Sequence, residues 1–495
     1  MALGEARTLK RNSIGFFAFI VLTFTGLAAY IAPIEVSPFF SYAGAAALWP
    51  IILGFVLFAL VSLPILEYSR IAPFAGGYYG LAELGFGRVS GKFTALVNYS
   101  FYNFVQVANG FFIGWLVVDT IDLIYGVLVS FWIWVLVTIV TLLVTYLVGS
   151  LSAKNLGRLL TVAGTTMAVI VIAFSLYVII KSPYNSAYYF NPANSSAGFG
   201  GIATATAVVG FFLFAGYGIA LFFSEEGVQS RKNVWKAIYG GLIVATLIIG
   251  IVTYSMLVAV PRGELAAIGT SALPQLVTWI HYIPTPVLVG LNFLIAIIAM
   301  LGFGSQTGSQ ARILYSLGRD DFIKNNWVKK LNPKSSIPSR AVLVNLILAL
   351  VSMLLVMAIF IHIYGYNPNS IAVAWFVSGT ISTLFWFLHH FIPEVGLYPF
   401  IRKHRKDIKF STGRIIVSSL IVPIVATAMF IYIFYLGIVS DLVEPYFGAL
   451  IGVVILTFVL LGYVIFKYYR HTIGSSAVSD IAKEFFEQGS KEDDS

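Results

Sequence analysis

Along most of this chain apolar residues do not alternate with polar ones; they run on without interruption. Stretches free of Asp, Glu, Lys and Arg cover residues 12–34, 36–66, 93–118, 123–153, 159–180, 237–261, 282–311, 415–440 and 445–466. A membrane-crossing helix needs roughly 20 mainly apolar residues, and each of these qualifies. The absence of period-two alternation excludes barrel strands. Two longer stretches divide. Residues 182–224 open with a polar loop, SPYNSAYYFNPANSSAGFGG, which leaves one span near 201–224. Residues 341–393 are too long for one helix, and Tyr364-Gly-Tyr-Asn-Pro-Asn369 splits them in two. The pattern predicts an all-α integral membrane protein with twelve transmembrane helices.

Composition agrees: 59% of residues are hydrophobic and 10% charged, against about 25% charged in a soluble domain. The lipid bilayer is the partner this surface requires. The net charge of +9 at first suggests an anionic partner, but its placement points elsewhere. With the N-terminus inside, two of the 30 Lys and Arg residues, Lys181 and Arg262, fall outside. That split follows the positive-inside rule, so the charge records topology and no nucleic acid is implied. Both termini are expected in the cytoplasm and the protein in the cell (plasma) membrane. The first span follows Arg7, Lys10 and Arg11 but is too long for a signal peptide and reads as uncleaved. The tail from His471 ends in EDDS and reads as partly disordered, with a short helix near 481–486. With no cysteine, disulfide frameworks and cysteine-ligated metals are excluded. The six histidines form no metal motif, and the adjacent pair His389-His390 points to different helix faces. Composition leaves the oligomeric state open.

With so little chain outside the membrane, function belongs where the spans are irregular. The first reads Thr23-Phe-Thr-Gly-Leu-Ala-Ala-Tyr-Ile-Ala-Pro33 and the sixth Phe211-Phe-Leu-Phe-Ala-Gly-Tyr-Gly-Ile-Ala220. Each carries an aromatic-small-glycine triplet near its centre, Phe24-Thr25-Gly26 and Phe214-Ala215-Gly216. Five spans separate their starts, so they cross in opposite directions, as in the inverted repeats of secondary transporters. Two readings stand side by side: glycines that let neighbouring helices approach, and unwound helices whose freed backbone groups bind a zwitterion.

Three motifs carry a resemblance. Glu67-Tyr-Ser-Arg-Ile-Ala-Pro-Phe-Ala-Gly-Gly-Tyr78, Phe214-Ala-Gly-Tyr217 continuing to Ser224-Glu-Glu226, and Ala311-Arg-Ile-Leu-Tyr-Ser-Leu-Gly-Arg-Asp320 resemble signatures of the amino acid–polyamine–organocation (APC) permeases. The resemblance runs over most of the chain and implies a LeuT-type fold with discontinuous helices 1 and 6. Its divisions are a cytoplasmic segment 1–12, a first five-helix repeat 13–181, a second, inverted repeat 200–391, helices 11 and 12 at 412–469, and a cytoplasmic tail 470–495. It implies secondary transport of amino acids by alternating access, and no enzyme activity. The family's carboxylate-binding Gly-Ser-Gly falls on Gly26-Leu27-Ala28, where Leu27 brings no side-chain donor, so binding would rest on backbone amides. Substrate contacts are expected from Thr25, Gly26, Leu27 and Ala28 on the first span. On the sixth they fall on Phe212 (the aromatic gate), Phe214, Ala215, Gly216, Tyr217 and Gly218. Tyr102, Asn103 and Ser378 are added from the third and tenth spans, and Asn98, Gln106, Asn109, Thr380, Ser382 and Thr383 are further polar candidates there. Glu225 and Glu226 read as structural charges pairing with basic loops.

No cofactor is expected beyond coupling Na+ or H+. The lysine that proton-coupled relatives carry in the fifth span is missing around Thr165-Thr166-Met167, while Ser305, Thr307 and Ser309 offer sodium-type hydroxyls. The lack of charge near the middle of any span argues for a neutral substrate, since a buried charge costs roughly 2.5–3.5 kcal/mol. The loop 262–283 reads as an extracellular cap. The Gly-x-x-x-Asp-Arg motif and long central loop of the major facilitator type are absent, as are the clustered acids of a membrane enzyme. An amino acid sensor built like a transporter, and a carrier of another small amine or organic cation, remain as alternatives.

Overall fold

A chain whose backbone lies in hydrocarbon must satisfy its hydrogen bonds within each segment, and helices do so. The computed structural model describes residues 9–27, 29–126, 129–207, 211–271, 273–333, 335–366, 368–405, 411–435 and 446–493. Among these there is no strand, and pairing outside helices is limited to isolated bridges, Ile14 with Gly227 and Gly44 with Ser195. The long helices are α1 (Phe16–Gly26), α2 (Trp49–Ile71), α3 (Arg88–Tyr125), α4 (Phe131–Gly149) and α5 (Ala153–Lys181). After the short α6 (Gly198–Ala205) come α7 (Ser230–Leu257), α8 (Thr285–Arg319), α9 (Ser339–Tyr364) and α10 (Pro368–Lys403). The chain closes with α11 (Val422–Phe434), α12 (Tyr446–Tyr469) and α13 (Ala477–Asp493). Among the described residues, ten helices are long and apolar enough to cross a membrane, or eleven if α1 and its bent continuation are one span.

Several expected boundaries move, for local reasons. Residues 36–66 are not one helix: Ser37–Ala43 is a separate helix capped by Gly44 at φ +58°, and α2 starts beyond it at Trp49. The tenth span does not stop at Pro393, because α10 carries both Pro393 and Pro399 inside it and runs on to Lys403. Likewise α3 and α8 extend past the first charged residue, to Tyr125 and Arg319. The sixth stretch gives α6, a turn of helix at Phe211–Phe214, a 3-10 segment at Ala215–Gly218 and a final turn at Ile219–Phe222. The tail also departs from expectation: α13 packs on the short helix Tyr78–Phe86, and Val478 is fully buried.

The packing has a simple plan. α1 lies against α5 and α7, and α2 against α7; α3 lies against α4, α8, α9 and α10, and α8 against α4, α5 and α9. The loop 262–283 folds into the helices Leu265–Thr270 and Pro274–Trp279. It is tied to Ser37–Ala43 by the Ser41 hydroxyl, which donates to the Gly269 carbonyl at 2.6 Å.

Candidate substrate site

The first and sixth spans break where glycine interrupts a run of bulky residues, and the two breaks touch. At the end of α1 the Leu27 N–H donates to the Thr23 carbonyl at 3.0 Å. The chain resumes as a 3-10 turn at Ala29–Ile31 and a helix at Ala32–Glu35, bent from α1 by 47°. Opposite it lies the 3-10 segment Ala215–Gly218. A Cβ on Gly26 would stand 2.8 Å from the Gly216 oxygen, and one on Gly216 would overlap the Gly26 oxygen. Both glycines are therefore needed for the backbones to meet. The last carbonyls of a helix lack partners within it, and such groups are ready acceptors.

A cavity lies between these breaks. Gly26, Leu27, Ala215 and Gly216 form part of its wall. Its apolar surface comes largely from Ile31, Phe101, Phe112, Phe303, Trp375 and Trp386. Polar groups enter at few points: Asn109, Gln306, Ser382, Thr383 and Glu35. Asn109 donates to Gln306 Oε1 at 2.6 Å, which joins α3 to α8 at the wall. Trp386 closes the side towards α10, its indole N–H donating to the Ala215 carbonyl at 2.9 Å.

Other expected site residues sit nearby without lining the cavity. The Thr25 hydroxyl turns back to the Val21 carbonyl at 2.8 Å. Phe214 is fully buried with its ring 5.8 Å from that of Phe58. Tyr217 hydrogen-bonds His390, and a side chain at Gly218 would collide with the Tyr78 hydroxyl. Tyr102 packs on Phe101 and Phe222, and Asn103 donates to Ser352 on α9 at 2.8 Å. Ser378 is fully buried with its hydroxyl unpartnered, away from the cavity wall. Ala28 lies outside the described residues, as does the side chain of Phe212. Of the sodium-type hydroxyls, Ser305 and Ser309 donate to the carbonyls of Gly302 (2.7 Å) and Ser305 (3.0 Å) in their own helix. Thr307 is packed against Gly149.

Sequence reasoning missed Glu35, Gln306, Trp375 and Trp386. A usable signal existed on α10, because Trp375, Ser382 and Trp386 are spaced seven and four apart and share one helix face. Glu35 matters most, since the expectation of an uncharged site overlooked an acid at the C-terminal end of the first span.

At one end of the site, charged groups tie the spans together. Glu226 accepts from Arg312 Nε at 2.7 Å and Glu225 from both Arg319 terminal nitrogens at 2.9 Å. These acids were expected to pair with loops; their partners are instead the last turns of α8. The Ser13 N–H donates to the Glu226 carbonyl at 2.8 Å, which pins the chain before α1 to the end of the sixth stretch. Lys92, fully buried, bridges Glu83 at 3.0 Å and Asp320. Burial pushes the Glu83 carboxyl up, against the pull of Lys92. The tail seals this cluster: the Ser475 and Ala477 N–H groups donate to Asp320 at 2.7 and 3.1 Å.

Apolar helices packed around a central cavity at two helix breaks are the build of a membrane transport protein, not of an enzyme. A family profile described as Amino acid permease matches residues 14–467, and the chain belongs to that family, within the APC group its motifs resemble. The chain is similar to the branched-chain amino acid permease BcaP of Lactococcus lactis, at 23% identity over 80% of this chain and 83% of the relative. It is similar at 23% identity to an uncharacterized amino-acid permease of Schizosaccharomyces pombe, over 72% of this chain and 66% of the relative.

Proposed function

We propose that this permease carries neutral amino acids with apolar side chains by alternating access, binding them at the broken first and sixth spans. The observation that carries the reading is the cavity walled by Gly26, Leu27, Ala215 and Gly216. Backbone amides near Leu27 receive the carboxylate. Carbonyls at the breaks, together with Glu35, accept from the ammonium group, and Ile31, Phe101, Phe112 and Trp375 surround the side chain. The name of the Lactococcus lactis relative, a branched-chain amino acid permease, agrees with such a lining.

The helix packing supports two inverted five-helix repeats within twelve spans, at 13–181 and 200–391. In such a repeat, contacts of span n recur at span n+5. The pairs α3–α4 and α8–α9 correspond in this way, as do α4–α8 and α9–α3, and α3–α10 and α8–α5. Both termini lie on the cytoplasmic side in this reading, with the plasma membrane as its location and the loop 262–283 as an outer cap. Glu35 favours a second reading, in which a small amine without a carboxylate is the cargo. Proteoliposomes holding only this protein, tested with a panel of labelled amino acids and amines, decide between the two. Saturable exchange of neutral amino acids is expected; exchange restricted to amines selects the second reading, and binding without flux indicates a sensor.

A further inference from the structure

Behind the cavity wall, one face of α10 carries Trp386, His390 and Glu394 at intervals of four residues, so their side chains stack along the helix. Trp386 faces the cavity, and its ring lies flat on that of His390 at 4.1 Å. His390 Nε2 is hydrogen-bonded to the hydroxyl of Tyr217, which belongs to the break of the sixth span. The same Nε2 stands 3.5 Å from Glu394 Oε1. Glu394 is fully buried, and neither of its oxygens has a hydrogen-bond partner; His390 Nδ1 has none either. Nothing in the function described above uses this carboxyl.

A carboxylate wholly removed from water and without donors is among the costliest groups a protein can hold, whereas its protonated form is tolerated. Every titratable neighbour is a poor counter-charge. Tyr78 from the helix Tyr78–Phe86 and Tyr217 from the sixth break lie within reach of the group, and beyond them Tyr102 from α3 and His389 from α10 face Tyr78 while Tyr239 from α7 faces Tyr217. Among the described residues no Lys or Arg pairs with Glu394, and no cluster of three acids and histidines stands ready for a metal ion.

We propose that Glu394 binds one coupling proton, with His390 and Tyr217 linking its occupancy to the sixth-span break. The inference rests on the permease reading and names its driving ion. In the described conformation the carboxyl holds the proton. When the sixth break shifts, the Tyr217–His390 hydrogen bond is lost, and His390 Nε2 is free to accept the proton from Glu394 and pass it to water on the other side. One H+ is taken up on one side and one released on the other, no electron moves, and a transmembrane proton gradient supplies the work. With a zwitterionic cargo, each cycle moves one net positive charge.

Two measurements on the full-length protein in proteoliposomes test this. Infrared difference spectra of wild type against Glu394→Gln at neutral pH should contain the carbonyl stretch of a protonated carboxylic acid that the variant lacks; no such difference overturns the proposal. The second uses L-leucine as probe. Wild type should accumulate it under an imposed pH gradient, towards about tenfold per pH unit for one proton per cycle. Glu394→Gln should lose that accumulation while counterflow of L-leucine continues. Undiminished pH-driven accumulation in the variant overturns the proposal. If Glu394→Gln does not fold, His390→Gln should show the same loss of accumulation, and its full retention counts equally against the relay. Absence of counterflow for every amino acid in wild type would strike the permease reading instead, while the infrared difference still decides whether Glu394 holds a proton.

Discussion

The two broken spans face each other across one cavity but are held in different ways. At the first break, among the described residues, no side chain bonds the backbone from outside: Leu27 is apolar and the Thr25 hydroxyl serves its own helix. At the sixth, Trp386 holds the Ala215 carbonyl, Tyr217 holds His390, and Tyr78 fills the space beside Gly218. The first break thus offers backbone to a ligand, and the second is fastened to α10 and to the helix after α2. Binding at one and transmission through the other is the division of labour this asymmetry suggests.

The strongest way to break the comparison is to keep the two backbones apart. Gly216→Leu and Gly26→Leu should each abolish uptake, with the protein still monodisperse in detergent. Gly250→Leu, on α7 where nothing lies within 4 Å, should retain it. Full transport by both site variants would remove the breaks from the mechanism. A smaller effect is expected from Gly218→Ala, whose methyl group meets the Tyr78 hydroxyl; adding Tyr78→Phe should restore part of the lost rate. Failure of that rescue would mean that the crowding lies elsewhere. Trp386→Phe removes one hydrogen bond, about 0.5–1.5 kcal/mol, so KM should rise about two- to tenfold in uptake assays. Smallest of all, Thr25→Val and Ser309→Ala should change transport by less than about twofold, because these hydroxyls serve their own helices. A large loss, or loss of a sodium dependence, in Ser309→Ala would restore the sodium site that the α8 hydroxyls first suggested.

The breaks were legible in the sequence because glycine beside aromatic residues is a strong local signal in an apolar helix. Span ends were less so. A search for charge-free stretches stops at the first acid or base, yet these helices continue wherever the charge finds a partner, as Arg312 does in Glu226. Glu394 was placed beyond the span for the same reason: it follows Pro393, which reads as a stop, and only the tertiary packing carries α10 past it. The cavity walls from α3, α8 and α10 were hardest to read. A helix with lipid on one side and protein on the other is apolar all round, so the periodicity that marks a buried face in a soluble protein is missing. Glu35 was passed over because it sits at a span end, where acids are common; the bend after Gly26 turns it inward.

The hydrogen bond from Ser13 to the Glu226 carbonyl joins residues 213 apart in sequence, and the contact of Gly26 with Gly216 spans nearly as much. During synthesis at about 5–20 residues per second, α1 therefore waits on the order of 10–40 s for the segment that completes it. Throughout that interval the first break lacks the Gly216 contact that closes it in the folded chain. The substrate site of this permease therefore forms late, only once the sixth span has emerged.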